Sequence, residues 1–307
     1  MGFVACFRGL AHLQYIVVIV LLFLLFLQHH KSVPRVKIHS NFLALETNGG
    51  QLGNQLFRLC SGHAIARKLG RRHYIRSVNI QGSYIGGYLA KIEATFPRLA
   101  NTFTVMEAQS EYRIPFAYKG GMISCCEYED PTRLRGRTEQ FLVLDIQLAQ
   151  NSQYFEDMLP ELHQILEFSL HIRQIGDDVL RRMNISVSDI HEIARQRGLL
   201  NVLLFGDDVD FMELLGESLI RLDKSEKREV RYSKNSEEVD FYLASRVCGA
   251  FLITAPTSTF GWWLAFFIPN QDAVFYSNDN RTMGDKVIRE DLFLSSWKVY
   301  NSPESNA

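Results

Sequence analysis

Three short stretches of this chain combine residue types able to hold an anion. The first is Gly49-Gly-Gln-Leu-Gly-Asn-Gln55, whose glycines permit close backbone approach and whose following helix offers free amides. The second is Gly206-Asp-Asp-Val-Asp210, where Asp208 and Asp210 are spaced to share a divalent cation and a diphosphate. Carboxylates there equally cap the first turn of a helix, and capping is the favoured reading. The third is Thr254-Ala-Pro-Thr-Ser-Thr-Phe-Gly-Trp-Trp263. Its hydroxyls at 257–259 stand ahead of a helix as donors to a phosphate, Gly261 allows close approach, and Trp262 or Trp263 offers a flat face to a base or sugar. Plain N-capping by Ser258 or Thr259 with two core tryptophans accounts for the same residues.

Charge and cysteines narrow the chemistry. With 33 basic and 34 acidic residues the chain has a formal charge of −1, so it carries no overall attraction for nucleic acid and any anion site is local. Between Glu46 and Glu93 there is no acidic residue, while Arg58, Arg67, Lys68, Arg71, Arg72, Arg76 and Lys91 all fall there. A solvated helix face explains most of these, and the asymmetry also suits an anionic or sugar-phosphate partner. The cysteines are Cys6, Cys60, Cys125, Cys126 and Cys248, with no C-x-x-C pair and no zinc spacing. Cys6 is placed for palmitoylation. The other four form up to two disulfides, with pairing open, or stay as buried thiols.

The elements that must position these residues alternate. Ile38 to Thr47 reads as a strand, Asn48 to Gln55 as a tight turn and Leu56 to Leu69 as a helix ended by Gly70. Further on, Asn201 to Gly206 reads as a buried strand, Asp208 to Leu219 as a helix and the charged stretch Asp223 to Glu238 as a solvated loop or edge. Then come a helix over Ser236 to Val247, a strand over Ala250 to Thr254, a turn over Pro256 to Thr259, a helix over Phe260 to Ile268 and a strand over Ala273 to Tyr276. This alternation predicts an α/β fold of parallel sheets covered on both faces, in two nucleotide-fold-like lobes that join near residues 180–198. In such sheets ligands bind at the carboxyl ends of strands, where all three stretches lie. The composition, 47% hydrophobic with 20 glycines and 8 prolines in 307 residues, excludes a disordered or fibrous chain.

The N-terminus is apolar without a break from Tyr15 to Leu27. Together with Phe3 to Gln14 it is long enough to cross a bilayer, and no small-x-small cleavage site follows. The expectation is a short tail over 1–12, a transmembrane signal-anchor over 13–28 and a stem over 29–40. Arg8 before the segment and Lys31, Arg35 and Lys37 after it favour a cytoplasmic C-terminus by the positive-inside rule. Two glycosylation acceptors, Asn184 in Asn184-Ile-Ser186 and Asn280 in Asn280-Arg-Thr282, point instead to a lumenal one.

Gly50-Gln-Leu-Gly-Asn-Gln-Leu-Phe57 resembles the N-terminal signature of the alpha-1,2-fucosyltransferases, especially their nematode-type members. Leu144-Asp-Ile-Gln147, Tyr154-Phe155 and Leu166-Glu-Phe-Ser169 resemble the family's middle region. Asp240-Phe241, Cys248 and Thr257-Ser-Thr-Phe-Gly-Trp-Trp263 resemble its C-terminal signature, so the likeness spans most of residues 43–300. The resemblance implies a GT-B-like, single-pass type II protein of the Golgi cisterna membrane with its catalytic region in the lumen. It implies transfer of L-fucose from GDP-fucose to O2 of a terminal galactose on glycans, with inversion and with no cofactor or essential metal. By the same resemblance residues 41–190 form an acceptor-side lobe in which Gly50, Gly53, Asn54 and Gln55 line the cleft. Residues 191–300 form a GDP-fucose-side lobe in which Ser258, Thr259, Phe260 and Gly261 face the donor, followed by a tail over 301–307. The implied partners are GDP-fucose, a galactose-terminated acceptor and the membrane; assembly as a homo-oligomer stays open.

One departure matters. The family's central His-x-Arg-Arg-Gly-Asp motif, on a strand opening the second lobe, belongs between Glu167-Phe-Ser169 and Asn201-Val-Leu-Leu-Phe205, and is missing. His171-Ile-Arg-Gln-Ile-Gly-Asp177 has one residue too many and lies in a helical stretch, so it is read as a coincidence. A few tens of residues are absent at this point, including a strand whose neighbours lose a ladder partner. Charge developing on the GDP diphosphate needs an arginine or a metal, and losing one such contact costs on the order of a hundred- to thousandfold in rate. The remaining donors are the amides and hydroxyls of Thr257 to Gly261, with Arg173 or Arg246. No residue is identified as the catalytic base. Three readings follow: a fucosyltransferase; a membrane-anchored pseudoenzyme or truncated isoform that binds glycan, GDP-sugar or a full-length relative; and a metal-dependent transferase using Asp208 and Asp210.

Overall fold

A four-residue strand, β1 (Phe42–Leu45), is the centre of the larger sheet because its side chains are apolar on both faces. Leu43 and Leu45 point into the main core, while Ala44 meets Tyr74 and Val143 on the opposite face. The computed structural model describes residues 41–46, 49–80, 84–119, 122–123, 126–146, 148–182, 201–222, 229–277 and 290–300. The signal-anchor expected over 13–28, the stem and the acceptors Asn184 and Asn280 lie outside these residues. Among the described residues no helix is long and apolar enough to cross a membrane.

Around β1 lie β2 (Arg72–Arg76), β3 (Phe103–Met106), β4 (Tyr112–Pro115) and β7 (Phe141–Asp145), all parallel, in the order β3-β2-β1-β7-β4. Helix α1 (Leu52–Lys68) connects β1 to β2 and ends before Gly70, whose φ of 63° only glycine adopts at low cost. It starts four residues earlier than the glycine content suggests, so Gly53, Asn54 and Gln55 belong to its first turn and not to the loop. Further helices follow as α2 (Tyr84–Thr95), α3 (Pro97–Ala100), α4 (Leu159–Ile165) and α5 (Leu170–Arg182). A two-residue antiparallel pair, β5 (Tyr118–Lys119) and β6 (Met122–Ile123), lies before β7.

The second half continues with β8 (Asn201–Leu204), α6 (Val209–Leu222), β9 (Glu229–Tyr232), α7 (Glu237–Val247), β10 (Phe251–Ile253), α8 (Thr259–Phe267), β11 (Val274–Ser277) and β12 (Lys298–Tyr300). All its pairings are parallel, yet β8–β9 and β10–β11–β12 are separate ladders. Phe205 after β8 and Phe251 in β10 stack at 6.3 Å, but no ladder joins the two strands. With a strand partner among the described residues on one edge only, β8 keeps Val202, Leu203 and Leu204 half-buried, which corrects the expectation of a buried strand. Within the charged stretch expected as a solvated loop or edge, Glu229–Tyr232 forms β9 beside β8, and Glu237 and Glu238 open α7, where the helix was expected.

The described residues from Asn41 on cluster as one unit, and its main core is built from both halves. Phe57 of α1 lies 4.7 Å from Trp262 and 5.1 Å from Trp263 of α8, and Phe155 stacks on Trp263 at 6.3 Å. Trp263 is wholly buried. Burying one such large side chain stabilises by roughly 3 kcal/mol, so these rings fix where α1 and α8 start relative to one another.

Candidate functional site

The first turns of α1 and α8 touch. A side chain on Gly53 would put its Cβ 2.8 Å from Thr259 Oγ1 and 3.0 Å from the Thr259 carbonyl carbon, so only glycine allows this approach. Trp263 Nε1 donates to Gly53 O at 2.9 Å, and Thr259 Oγ1 donates to Asn54 Oδ1 at 3.1 Å. Residues 205 positions apart in sequence are thereby joined. Two helix N-termini that meet add their partial positive charges, and neither first turn holds an acidic residue to cancel them.

The surrounding polar groups are tied down in order. Gly50 has φ of 112°, a conformation for glycine, and Asn54 Nδ2 lies directly against its α-carbon. Gln55 Nε2 donates to Gly50 O at 3.0 Å, and Arg58 Nη1 donates to Gln55 Oε1 at 2.8 Å. Burial lowers the Arg58 pKa to about 10, with the Glu46 carboxylate opposing that shift. Gln51 caps α1 without a side-chain bond, so the amides of that turn remain available. On α8 the Ser258 hydroxyl accepts from Gly261 N at 3.2 Å, so Ser258 is the N-cap. Phe260 packs on Phe241 of α7 at 5.4 Å. Both groups of residues singled out in the sequence, Gly50 to Gln55 and Ser258 to Gly261, therefore lie together.

Other expectations are redrawn. The cationic stretch is largely paired: Arg67 and Glu161 are in contact, Lys68 meets Asp157 at 3.1 Å, and Arg76 meets Glu46 at 3.2 Å and Glu111 at 2.9 Å. Lys91 meets Glu238 at 2.9 Å, and Arg71 donates to the carbonyls of Arg137 and Glu139 at 2.7 Å. Distant carboxylates and carbonyls thus neutralise a stretch that looks unbalanced locally. Arg173 and Arg246 line a cavity of about 270 Å³ with His163, Tyr242 and Phe267. Phe267 ends α8, roughly 12 Å along the helix from its first turn, so these arginines stand at the far end from Ser258. Among the described residues no arginine or lysine bonds Ser258, Thr259, Phe260 or Gly261. The string His171 to Asp177 lies within α5, where Gly176 packs against Tyr242.

Asp208 Oδ1 accepts from Phe211 N at 2.9 Å, which makes it the cap of α6. Among the described residues no group of three or more His, Cys, Asp or Glu is arranged to hold a metal. Cys60 and Cys248 are free thiols, and burial raises both pKa values, that of Cys248 to about 12. Cys126 is disulfide-bonded to a partner outside the described residues. Asp240, in the first turn of α7, is 3% exposed and accepts from Ser233 Oγ. Burial raises its pKa to about 7 against those hydrogen bonds. Sequence reasoning missed Gln150, whose Nε2 donates to Asn54 Oδ1 at 2.5 Å, and nothing local marks that glutamine. It also did not single out Arg58 among the seven cations, although its place one turn after Gln55 on a helix with buried neighbours was a usable signal.

No protein-family model matches the chain. A galactoside 2-alpha-L-fucosyltransferase of Caenorhabditis elegans is 26% identical, covering 87% of this chain and 78% of the relative. A putative galactoside 2-alpha-L-fucosyltransferase of the same organism, svh-11, is 23% identical over 89% of this chain and 83% of its own length. Another C. elegans galactoside 2-alpha-L-fucosyltransferase is 23% identical over 80% and 76%. The first alignment runs over 322 positions while taking in 87% of this 307-residue chain, so the relative carries residues with no counterpart here. These relatives support the alpha-1,2-fucosyltransferase resemblance over most of the chain.

Proposed function

We propose that this chain binds GDP-fucose where α1 meets α8 and transfers L-fucose to O2 of a terminal galactose on a glycan, with inversion, as a type II protein of the Golgi membrane. The observation that carries the reading is the contact of the two signature segments: Gly53 against Thr259, with Asn54 Oδ1 as the shared acceptor. The uncapped amides of α1, the hydroxyl of Ser258 and two helix N-termini free of acidic residues suit a diphosphate. A Cβ added at Gly261 would meet nothing nearer than Ile253 Cγ2 at 3.5 Å, so the bare glycine leaves room for close backbone approach. An inverting transfer further needs a base at the acceptor hydroxyl, in line with the departing GDP. The chain's role in that step is to hold donor and acceptor on the carboxyl side of its parallel strands.

A second reading is favoured by a specific observation: Arg173 and Arg246 line a cavity at the Phe267 end of α8, away from Ser258. The break between β8 and β10 and the unmatched residues of the relatives agree with a missing strand that would carry arginines. On this reading the protein keeps ground-state binding of GDP-sugar and lacks transition-state charge stabilisation. The test is transfer of labelled fucose from GDP-fucose to galactose-terminated acceptors by the full chain, with linkage analysis of the product. Fucose on galactose O2 supports the transferase; GDP binding without transfer selects the pseudoenzyme.

A further inference from the structure

The loop after β7 is almost sealed from solvent: Gln150 is 5% exposed, and Asn151 and Ser152 are 0%. It is entered through Leu148 and Ala149 at φ of 62° and 47°, left-handed conformations that side-chain-bearing residues keep only where their surroundings fix them. Those surroundings are present. Ser61 Oγ donates to Ala149 O at 2.9 Å, Asn151 Nδ2 donates to Cys126 O at 3.0 Å, and Ser152 Oγ donates to Phe293 O at 2.9 Å. The strained turn ends by placing Gln150 Nε2 2.5 Å from Asn54 Oδ1.

Asn54 Oδ1 therefore accepts from two donors, Gln150 Nε2 and Thr259 Oγ1. An amide held by its oxygen presents its nitrogen on the other side. Asn54 Nδ2 lies against Gly50, where any side chain at position 50 would collide with it, and it donates to no described residue. We infer that Gln150 is a positioning residue: with Thr259 it fixes the Asn54 amide so that Nδ2 faces the Gly49-Gly50 turn as a donor to a phosphate oxygen of the nucleotide sugar. This rests on reading the α1–α8 junction as the nucleotide-sugar site.

The test is calorimetric titration of GDP into the full chain, alongside melting curves. Gln150→Glu puts an acceptor where a donor stood, so the Asn54 amide turns over and sets its oxygen towards the ligand. GDP affinity falls at least tenfold, as expected for a lost hydrogen bond to a charged group. In an Asn54→Ala background, with no amide to turn, Gln150→Glu changes affinity less than twofold. Gln150→Met, which keeps the volume, repeats the cycle with a smaller single effect if the glutamate variant folds poorly. An equal loss in both backgrounds, or an unchanged affinity in Gln150→Glu, overturns the inference and leaves the nucleotide-sugar reading in place. No GDP binding by the unsubstituted chain overturns both.

Discussion

Trp263 Nε1 donates to the carbonyl oxygen of Gly53 at 2.9 Å, so a residue of the C-terminal signature holds the first turn of the helix that carries the N-terminal one. The indole is wholly buried, and its ring lies 5.1 Å from Phe57, one helical turn beyond Gly53. Packing and hydrogen bonding thus specify the same junction.

The closeness of that junction separates two glycines. Gly53→Ala places a methyl group 2.8 Å from Thr259 Oγ1 and 3.0 Å from backbone, and costs about 1–3 kcal/mol. Gly261→Ala meets nothing nearer than Ile253 Cγ2 at 3.5 Å and gains about 0.5–1 kcal/mol from helix propensity, while GDP affinity falls as the methyl occupies the ligand's approach. Urea melts and GDP titrations read both; equal stability effects at the two positions would contradict the close approach.

The Gln55–Arg58 pair gives a second prediction. Gln55→Leu removes one acceptor of a buried guanidinium and the donor to Gly50 O, and lowers stability by about 2 kcal/mol. Adding Arg58→Met restores part of that loss, because the charge no longer needs the partner. If the double variant is as unstable as the sum of the single ones, the coupling is absent.

Asp240 sets a pH dependence. Its folded pKa, about 7, lies above the roughly 3.9 of an unfolded aspartate, so the folded state binds the proton more tightly. Its contribution to stability is complete below about pH 4 and is lost as pH rises through about 7, at a slope of at most about 1.4 kcal/mol per pH unit. Asp240→Asn keeps an oxygen for Ser233 and removes that decline. Melts at pH 5 and pH 8 that show the same difference with and without the substitution would refute it.

The capping role of Asp208 is distinguished from a metal role by two substitutions. Asp208→Ala costs about 1 kcal/mol and Asp208→Asn costs little, because asparagine caps equally well. The melting point is unchanged by EDTA. A chelator-sensitive melt would restore the metal-dependent reading of Asp208 and Asp210.

Much of the second half was legible because its elements are bounded by their own chemistry. Ser236 and Ser258 precede helices, and the apolar runs at Phe251 and Val274 are strands. The first half was harder. Strand β2 reads Arg72-His-Tyr-Ile-Arg76, with cations at both ends hiding buried His73, Tyr74 and Ile75. The start of α1 was misplaced because Gly53 looks like loop, whereas its glycine serves Thr259 more than 200 positions away. The candidate site residues were read from two signatures, but Gln150 and the pairing of the cations depend on tertiary neighbours that no local pattern records.

The most direct measurement is backbone hydrogen exchange of the full chain with and without GDP. The account predicts new protection in two separated segments, residues 50–56 and 257–262, appearing together at one ligand concentration. Protection confined to the cavity of His163, Arg173 and Arg246, or in one signature segment without the other, would contradict a nucleotide-sugar site built where Gly53 meets Thr259.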